Sequence, residues 1–471
     1  MTQTEDLLQR MKEGAALTRA QRLRLVLMLS IPSILAQTAS VIMGYIDAAM
    51  VGRLGAEASA SISLVSTSTW LFGGMCGAVA SGFSIQAGYH IGAGRISEAR
   101  HVMRQGLICA GLLSVCLAFA GTAVSGVLPG WLGGAPEIRK DASAYFLIYV
   151  LSLPVVQMNR LAGSLLQSSG NMRTPGILNI LMCAEDIVFN TLLIFPSVEL
   201  PVGSGIRIPG AGLGVAGAAL GTAAAQLVTA VLMLGILCLR SPVFRLRRGE
   251  DWRLEKGCVG RAVRLGAPIG WENLMMCGAM VATTRVVAPL GTVAIAANGF
   301  AVSAESLCYM PGYGIADAAA TLSGQSLGAG RKELTRKFSR LSVKMGILVM
   351  AAAGALMFAA APLVMSFLTP VREVQDAGIG LLRIEAFAEP LYGASIVAAG
   401  ALRGVGDTLV PSIMNFGSIW LVRLPLAIFL SARIGLEGVW IAMCLELCFR
   451  GIIFLSRLYR GKWLEQPRAA G

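Results

Sequence analysis

The sequence predicts an all-α membrane protein: twelve transmembrane helices in two six-helix bundles, related by a pseudo-twofold axis along the membrane normal. Three observations predict it. The first is composition. The 471 residues are 55% hydrophobic and 14% charged, with a mean hydropathy of +0.69, whereas soluble chains carry about 25% charged residues. The second is run length. Apolar runs long enough for a ~30 Å hydrocarbon core recur along the chain, without the period-2 alternation of a transmembrane barrel. The third is a repeat. Pro32 and Pro268 lie 236 residues apart, as do Leu54-Gly55 and Leu290-Gly291, Gly92-Ala93-Gly94-Arg95 and Gly328-Ala329-Gly330-Arg331, and the pairs Pro154/Pro390, Gly170/Gly406, Pro175/Pro411 and Asn179/Asn415. Six spans per copy is an even number, so both copies enter the membrane in the same direction and the axis runs along its normal.

The predicted spans run 24–51, 60–91, 102–128, 139–166, 175–197, 212–240, 261–288, 296–327, 338–366, 378–402, 411–432 and 437–459. They divide the chain into a tail 1–20, a first lobe 21–240, a linker 241–258, a second lobe 259–460 and a tail 461–471. Segment 1–20 is polar and the first apolar run is too long for a signal core, so that run is expected to remain as span 1. Pro32 in span 1 and Pro268 in span 7 each free a backbone carbonyl and kink their helix. At Pro32 the bend is either static or one that changes between states. Small-residue spacings for close helix packing occur at Gly73/Gly77, Gly88/Gly92, Gly217/Gly221, Gly324/Gly328 and Gly400/Gly404. Gly217 pairs with Gly438 at an offset of 221, so the first copy carries 15 extra residues, placed in 196–210. The linker is charged and polar, which suits a tether between lobes that move.

Lys and Arg set the orientation. With the N-terminus inside, inside segments hold 28 of the 39, Arg403 among them, and outside segments hold 6. Both termini are therefore expected in the cytoplasm, in a multi-pass protein of the cell (inner) membrane. The net charge of +13 lies in short segments between spans, which argues against nucleic acid as a partner. Most of the ten cysteines sit inside apolar runs and none forms a CxxC pair, which argues against disulfides, zinc and redox chemistry. No phosphate-binding GxxxxGK[ST] exists. Gly324-Gln325-Ser326-Leu327-Gly328 matches GxSxG, but it ends an apolar helix instead of turning from a strand. The missing catalytic motifs disfavour an enzyme.

Charge inside a span costs at least a few kcal/mol, so intramembrane carboxylates are functional candidates. In the first lobe these are Asp47 on span 1 and Asp186 on span 5. Asn190 shares a helix face with Asp186, and Thr222 on span 6 adds a hydroxyl. Together they can form an oxygen cage for Na⁺, or carry a proton, or only fix helix packing. In the second lobe Glu272 is on span 7 and Glu305 on span 8, with Glu385 and Glu389 four apart on span 10. Tyr309 shares the face of Glu305, and Tyr392 follows Glu389. Carboxylates among aromatics and methionines suit an amphipathic cation. The alternative is ion pairing with Arg285, Arg383 or Arg423. Asp317 and Glu446 are read as structural, and Glu185 as facing away from Asp186.

Ile46-Asp47-Ala48-Ala49-Met50-Val51-Gly52-Arg53-Leu54-Gly55 resembles the first-span signature of bacterial multidrug and toxic compound extrusion (MATE) transporters. Gly92-Ala93-Gly94-Arg95 and Gly328-Ala329-Gly330-Arg331 resemble their paired loop motifs. Leu402-Arg403-Gly404-Val405-Gly406-Asp407-Thr408 and Arg423-Leu424-Pro425 resemble the second half. The similarity covers about residues 20–463. It implies a V-shaped cleft between two lobes, and a monomer that exports amphipathic, often cationic small molecules in exchange for Na⁺ or H⁺ and uses no other cofactor. Asp47 matches the family's functional first-span aspartate and Thr222 a cation-site threonine. Asp186 falls where many members have Asn, and Asn190 where some have Asp. The family branch with a span-7 Glu and a span-10 Asp has them a turn away from Glu272 and Glu389, with Tyr392 at the Asp position, so the coupling ion stays open. The nearest alternative is a lipid-linked precursor flippase of related architecture, whose cavity should be strongly basic. The more distant one is a membrane-embedded enzyme.

Overall fold

The computed structural model describes residues 3–199 and 207–465. Its helices are α1 (Gln3–Lys12), α2 (Arg19–Gly52), α3 (Ala56–Gly92), α4 (Ile96–Ser125), α5 (Leu128–Trp131), α6 (Pro136–Ser168) and α7 (Arg173–Ile194), followed by α8 (Gly214–Gly235), α9 (Lys256–Val287), α10 (Thr292–Gly328) and α11 (Lys332–Leu368), and then α12 (Arg372–Ala386), α13 (Glu389–Gly404), α14 (Leu409–Gly417) and α15 (Leu424–Arg460). Among the described residues ten helical segments are long and apolar enough to cross a membrane. Large apolar side chains face outward, with Phe119 74% and Phe367 89% exposed. Asp186, Glu385, Glu389 and Glu446 are buried. An apolar exterior around a polar interior is the arrangement lipid demands. This is an integral membrane protein.

Most helices run a few residues beyond the predicted spans, because polar residues at the span ends continue the helical hydrogen bonding outside the apolar run. Two expectations are corrected. Span 10 is not one helix. It breaks at Phe387 and Ala388, and α13 restarts with Pro390 in its first turn, where the missing amide costs nothing. Glu385 and Glu389 therefore flank a break instead of sharing a continuous face. Spans 11 and 12 meet in a two-residue reversal within α15, at Ile434 and Gly435 (φ +64°), a conformation that suits glycine. Between α14 and α15 the chain makes a π-helical turn over Ser418–Arg423.

The second correction concerns the segments outside the spans. The first tail holds α1, whose Leu7, Leu8 and Met11 are buried in the same core cluster as Leu25 and Leu29. A capping box starts α2: Thr18 Oγ1 accepts from the Gln21 amide, and Gln21 Oε1 from the Thr18 amide. Arg331 Nη1 donates to the carbonyls of Met11 (3.0 Å) and Ala15 (2.7 Å), fixing the C-terminal end of α1. The linker, expected as a loose tether, is strapped to α4. Arg100 and Arg104 pair with Glu250 at 3.0 and 2.7 Å, Arg104 Nε donates to the Asp251 carbonyl, and His101 Nε2 lies 2.8 Å from Glu255. The extra residues of the first copy form a hairpin, β1 (Pro196–Glu199) with β2 (Arg207–Ala211), antiparallel with Pro196 opposite Ala211. Residues 200–206 of that insertion, and 466–471 of the second tail, lie outside the described residues.

The packing follows the repeat. In the first half α3, α4 and α8 pack on α6, and α2 on α7; in the second half α10, α11 and α15 pack on α13. Across the halves α2 packs on α10 and α3 on α9. At the face carrying both termini, α3 meets α10 backbone to backbone. A Cβ on Gly92 would lie 2.1 Å from the Gln325 carbonyl, and one on Gly328 would lie 2.1 Å from the Tyr89 carbonyl. Tyr89 and Gln325 are themselves repeat mates, so the two contacts are images of each other.

Gly328→Ala forces this crossing apart and is expected to cost about 1–3 kcal/mol through overpacking, lowering the thermal midpoint of the purified protein. Gly126→Ala, where a Cβ meets nothing within 4 Å, serves as the control. Equal midpoints for both variants would mean that the crossing is not tightly packed.

Candidate functional site

Three polar assemblies lie inside the helices, and they differ in how completely their charges are answered. The first is built on α2 and α7. Asp47 sits in the last two turns of α2, and Asp186 and Asn190 are one turn apart on α7. Asn190 Nδ2 donates to Asp47 Oδ1 and to Asp186 Oδ2, both at 2.9 Å. Asp186 and Asn190 are buried, and Asp186 Oδ1 and Asn190 Oδ1 have no hydrogen-bond partner. Two orphaned buried oxygens are costly unless a proton or a cation answers them. Hard oxygen donors suit a hard cation such as Na⁺. No hydrogen bond joins Thr222 to this chain among the described residues. The residue of α8 that meets Asn190 is Gly221, where a Cβ would lie 2.1 Å from Asn190 Oδ1. Of the expected four-member cage, hydrogen bonds join Asp47, Asp186 and Asn190. The offset comes from the helix: position 222 points 100° away from 221 around the axis.

The second assembly lies between α10, α12, α13 and α15. Glu305, Glu385 and Glu389 are buried, and both carboxylate oxygens of Glu385 and of Glu389 lack hydrogen-bond partners. Close by, Glu446 is fully answered. It accepts from Arg423 Nη2 (2.6 Å), from Arg450 Nε and Nη2 (both 2.8 Å) and from Ser418 Oγ. Arg423 therefore pairs with Glu446, as a structural reading of Glu446 requires. Arg383 stacks over Phe358 at 5.3 Å. The candidate carboxylates Glu305 and Glu389 are left without ion pairs to these arginines. The Tyr309 ring packs edge-on against Tyr392 (5.7 Å) and Tyr313 (6.0 Å).

The third is a cavity of about 220 Å³ between the halves, lined from α3, α6, α9, α10, α13, α14 and α15. Towards the terminal face its floor is closed by Thr321 Oγ1 donating to the Gln167 carbonyl (3.1 Å). Below that, Gln325 Nε2 donates to the Ser168 carbonyl (2.7 Å). Of the nominated residues, Glu272 and Tyr392 line it, whereas Glu305, Glu389 and Tyr309 stand outside its wall. Glu272 is not a free anion. Arg403 Nη2 binds both its oxygens (2.7 and 2.8 Å), with Ser412 Oγ and Asn415 Nδ2 at 2.7 Å. Arg403, counted in the sequence as a loop residue, reaches back into the helices to make this pair, which was not among the anticipated pairings. Asp317, read as structural, lines the cavity. Its repeat mate Ser81 lines the cavity too, and that correspondence is the signal that could have marked the position. Pro32 interrupts α2 one residue before Ser33, whose hydroxyl donates to Asp317 (2.7 Å).

The MatE family model matches residues 32–192 and 268–429. The chain is 25% identical over 444 residues to a probable multidrug resistance protein NorM of Thermotoga maritima, covering 92% of each. It is 28% identical over 447 residues to the Deinococcus radiodurans protein of the same name, covering 93% of this chain and 95% of the relative. Among solved structures, a MATE in the straight conformation superposes with a TM-score of 0.86 at 20% identity, over 94% of this chain and 97% of the other.

The two kinds of buried carboxylate are expected to respond oppositely to neutralisation. Glu446→Gln strips the shared partner from buried Arg450 and partly buried Arg423 and should destabilise by about 3–5 kcal/mol, read as lost expression or a sharply lower thermal midpoint. Glu385→Gln removes a carboxylate with no partner and should leave the midpoint at or above that of the wild type. The reverse ranking would mean that Glu385 holds a charge the structure depends on.

Proposed function

The chain belongs to the MatE family, and we propose that it is a secondary active multidrug efflux transporter exporting amphipathic, often cationic small molecules in exchange for Na⁺ or H⁺. The reading takes twelve spans in two six-helix lobes, 21–240 and 259–460, about a pseudo-twofold axis along the membrane normal, in the cell membrane. The reciprocal contacts of Gly92 and Gly328 support that axis. The 28-to-6 excess of Lys and Arg supports cytoplasmic termini. On that orientation the hydrogen-bonded floor at Thr321 and Gln325 faces the cytoplasm. Each chain contains both lobes, which supports a monomer as the working unit.

The observation that carries coupling is the Asp47–Asn190–Asp186 chain with its two unanswered oxygens. Na⁺ bound there would supply positive charge to two carboxylates held by one amide; Asp47, Asp186 and Asn190 would hold it. A proton on either aspartate serves the same end. In both cases Asn190 ties α2 to α7 through Asp47, so a change of charge at the site alters the hold on α2. A transported molecule and the coupling ion each shift the lobes only by their difference in affinity between the two states. Glu385 and Glu389, beside the break between α12 and α13, form a second place where a proton could be taken up. The cavity supports cation export over flipping of a phosphate-bearing lipid: Arg403 is cancelled by Glu272 and Arg450 is held by Glu446, so its wall is not strongly basic.

Efflux of ethidium from cells tests this, comparing wild type with Asp47→Asn, with and without Na⁺ and with the proton gradient collapsed. Wild type is expected to lower intracellular dye, and Asp47→Asn to lose most of that efflux although the protein still reaches the membrane. Dependence on Na⁺ identifies a Na⁺ site and dependence on the proton gradient a proton carrier. Efflux that survives both the substitution and the loss of both gradients would sink the proposal.

A further inference from the structure

The cavity holds four charged side chains, and three of them are already answered. Glu272 is chelated by Arg403 and capped by Ser412 and Asn415. Arg450 is held by Glu446 through two bonds of 2.8 Å. The fourth is Asp317 on α10, whose partners carry no charge. Ser33 Oγ (2.7 Å) and Gln37 Nε2 (3.4 Å) both donate to its Oδ2. Oδ1 accepts no hydrogen bond and is not among the buried orphans, so it opens into the cavity that the residue lines. The same wall carries the apolar and aromatic groups of Ile269, Met276, Tyr313 and Tyr392, beside neutral polar side chains such as Ser84, Gln167 and Thr321. One open carboxylate oxygen among rings and soft apolar groups is a receptor for an amphipathic monocation.

The partners of Asp317 add a second consequence. Ser33 and Gln37 are one turn apart on α2, immediately after Pro32, and α2 belongs to the other half of the molecule. The carboxylate is thus both a wall group of the cavity and the clasp on the kinked helix. A hydrogen bond to an ionised acceptor is roughly twice as strong as a neutral one. A cation lodged at Oδ1 draws on the same charge that Ser33 and Gln37 use, and weakens their hold.

We infer that Asp317 is the anionic anchor for cationic substrates in the cavity, and that it reports their presence to α2 through Ser33 and Gln37. The inference rests on the export reading above. It separates Asp317 from the coupling carboxylates Asp47 and Asp186, which stand outside this cavity. It also assigns the charge preference of the cavity to Asp317 in place of Glu272.

The test uses the full-length purified protein in lipid nanodiscs with two fluorescent probes, ethidium as a monocation and N-phenyl-1-naphthylamine as a neutral amphipath. Asp317→Asn keeps an acceptor for Ser33 and loses the charge. Its affinity for ethidium is expected to fall roughly tenfold or more, about 1.4 kcal/mol, with the neutral probe bound as by wild type. Asp317→Glu should restore much of the loss. Ser33→Ala keeps the carboxylate, and should retain ethidium binding while slowing its export from cells. Unchanged neutral-probe binding guards against misfolding. If wild type binds and exports ethidium and Asp317→Asn binds it equally well, the anchor is overturned and the export reading stands. If Asp317→Asn loses both probes while Asp317→Glu also fails, the residue is only a clasp on α2 and the anchor is overturned. If wild type binds neither probe, both readings fall together.

Discussion

A charge in a bilayer interior must be answered, and much of this molecule is arranged around that cost. Asp47, Glu185, Asp186, Glu272, Glu305, Asp317, Glu385, Glu389 and Glu446 all lie within its helices. Arg403 of α13 meets Glu272 of α9, 131 residues away, while Glu446 of α15 is met by Arg450 of the same helix and by Arg423 of the turn just before it. Such pairs are expensive to break because the surviving partner is left buried and alone. They therefore fix how the second half packs. Asp47, Asp186, Glu385 and Glu389 make no ion pair among the described residues. The contrast within one interior separates carboxylates that hold structure from those available to a proton, an ion or a substrate.

The coupling candidates and the cavity lie in different places. The coupling candidates sit within one half each, beside α2 and α7 or beside the break between α12 and α13. The cavity sits between the halves, where α3 and α9 approach and α10 contributes Asp317. An ion and a substrate could thus act on the same moving part without occupying the same site. α2 is common to both: Asn190 grips it through Asp47 near one end, and Asp317 grips it through Ser33 just beyond Pro32. A helix with a proline lacks one internal hydrogen bond at the bend, which makes side-chain grips on either side of it more consequential. Closure at the terminal face depends on small residues. Only glycine lets α3 and α10 bring carbonyl against backbone at Gly92 and Gly328, and α1 lies against the same face through Arg331.

The membrane class, the repeat, the segment order and the family resemblance were legible in the sequence. Each depends on local composition or on identity at a fixed offset, and neither requires knowing which residues touch. Asp47, Asp186 and Asn190 were legible as a group because helical spacing aligns the last two, and carboxylates in spans stand out against apolar neighbours. At Thr222 the helix turns the side chain by 100° from Gly221, the residue that faces Asn190. The break in span 10 was hidden because the hydropathy of the segment is continuous across Phe387 and Ala388.

What tertiary structure alone decided was which charges cancel. The partner of Glu272 was not legible in the sequence, because Arg403 is 131 residues away and lies at a predicted loop. Asp317 looked structural because nothing local marks it as facing a cavity. A carboxylate has the same sequence signature whether an arginine meets it or not. Pairing depends on three-dimensional distance, and in a bundle of long helices neighbours in space are separated by whole spans in the chain. The sequence by itself determined that this is a duplicated membrane protein with acids in its interior. The fold decided which of those acids remain open.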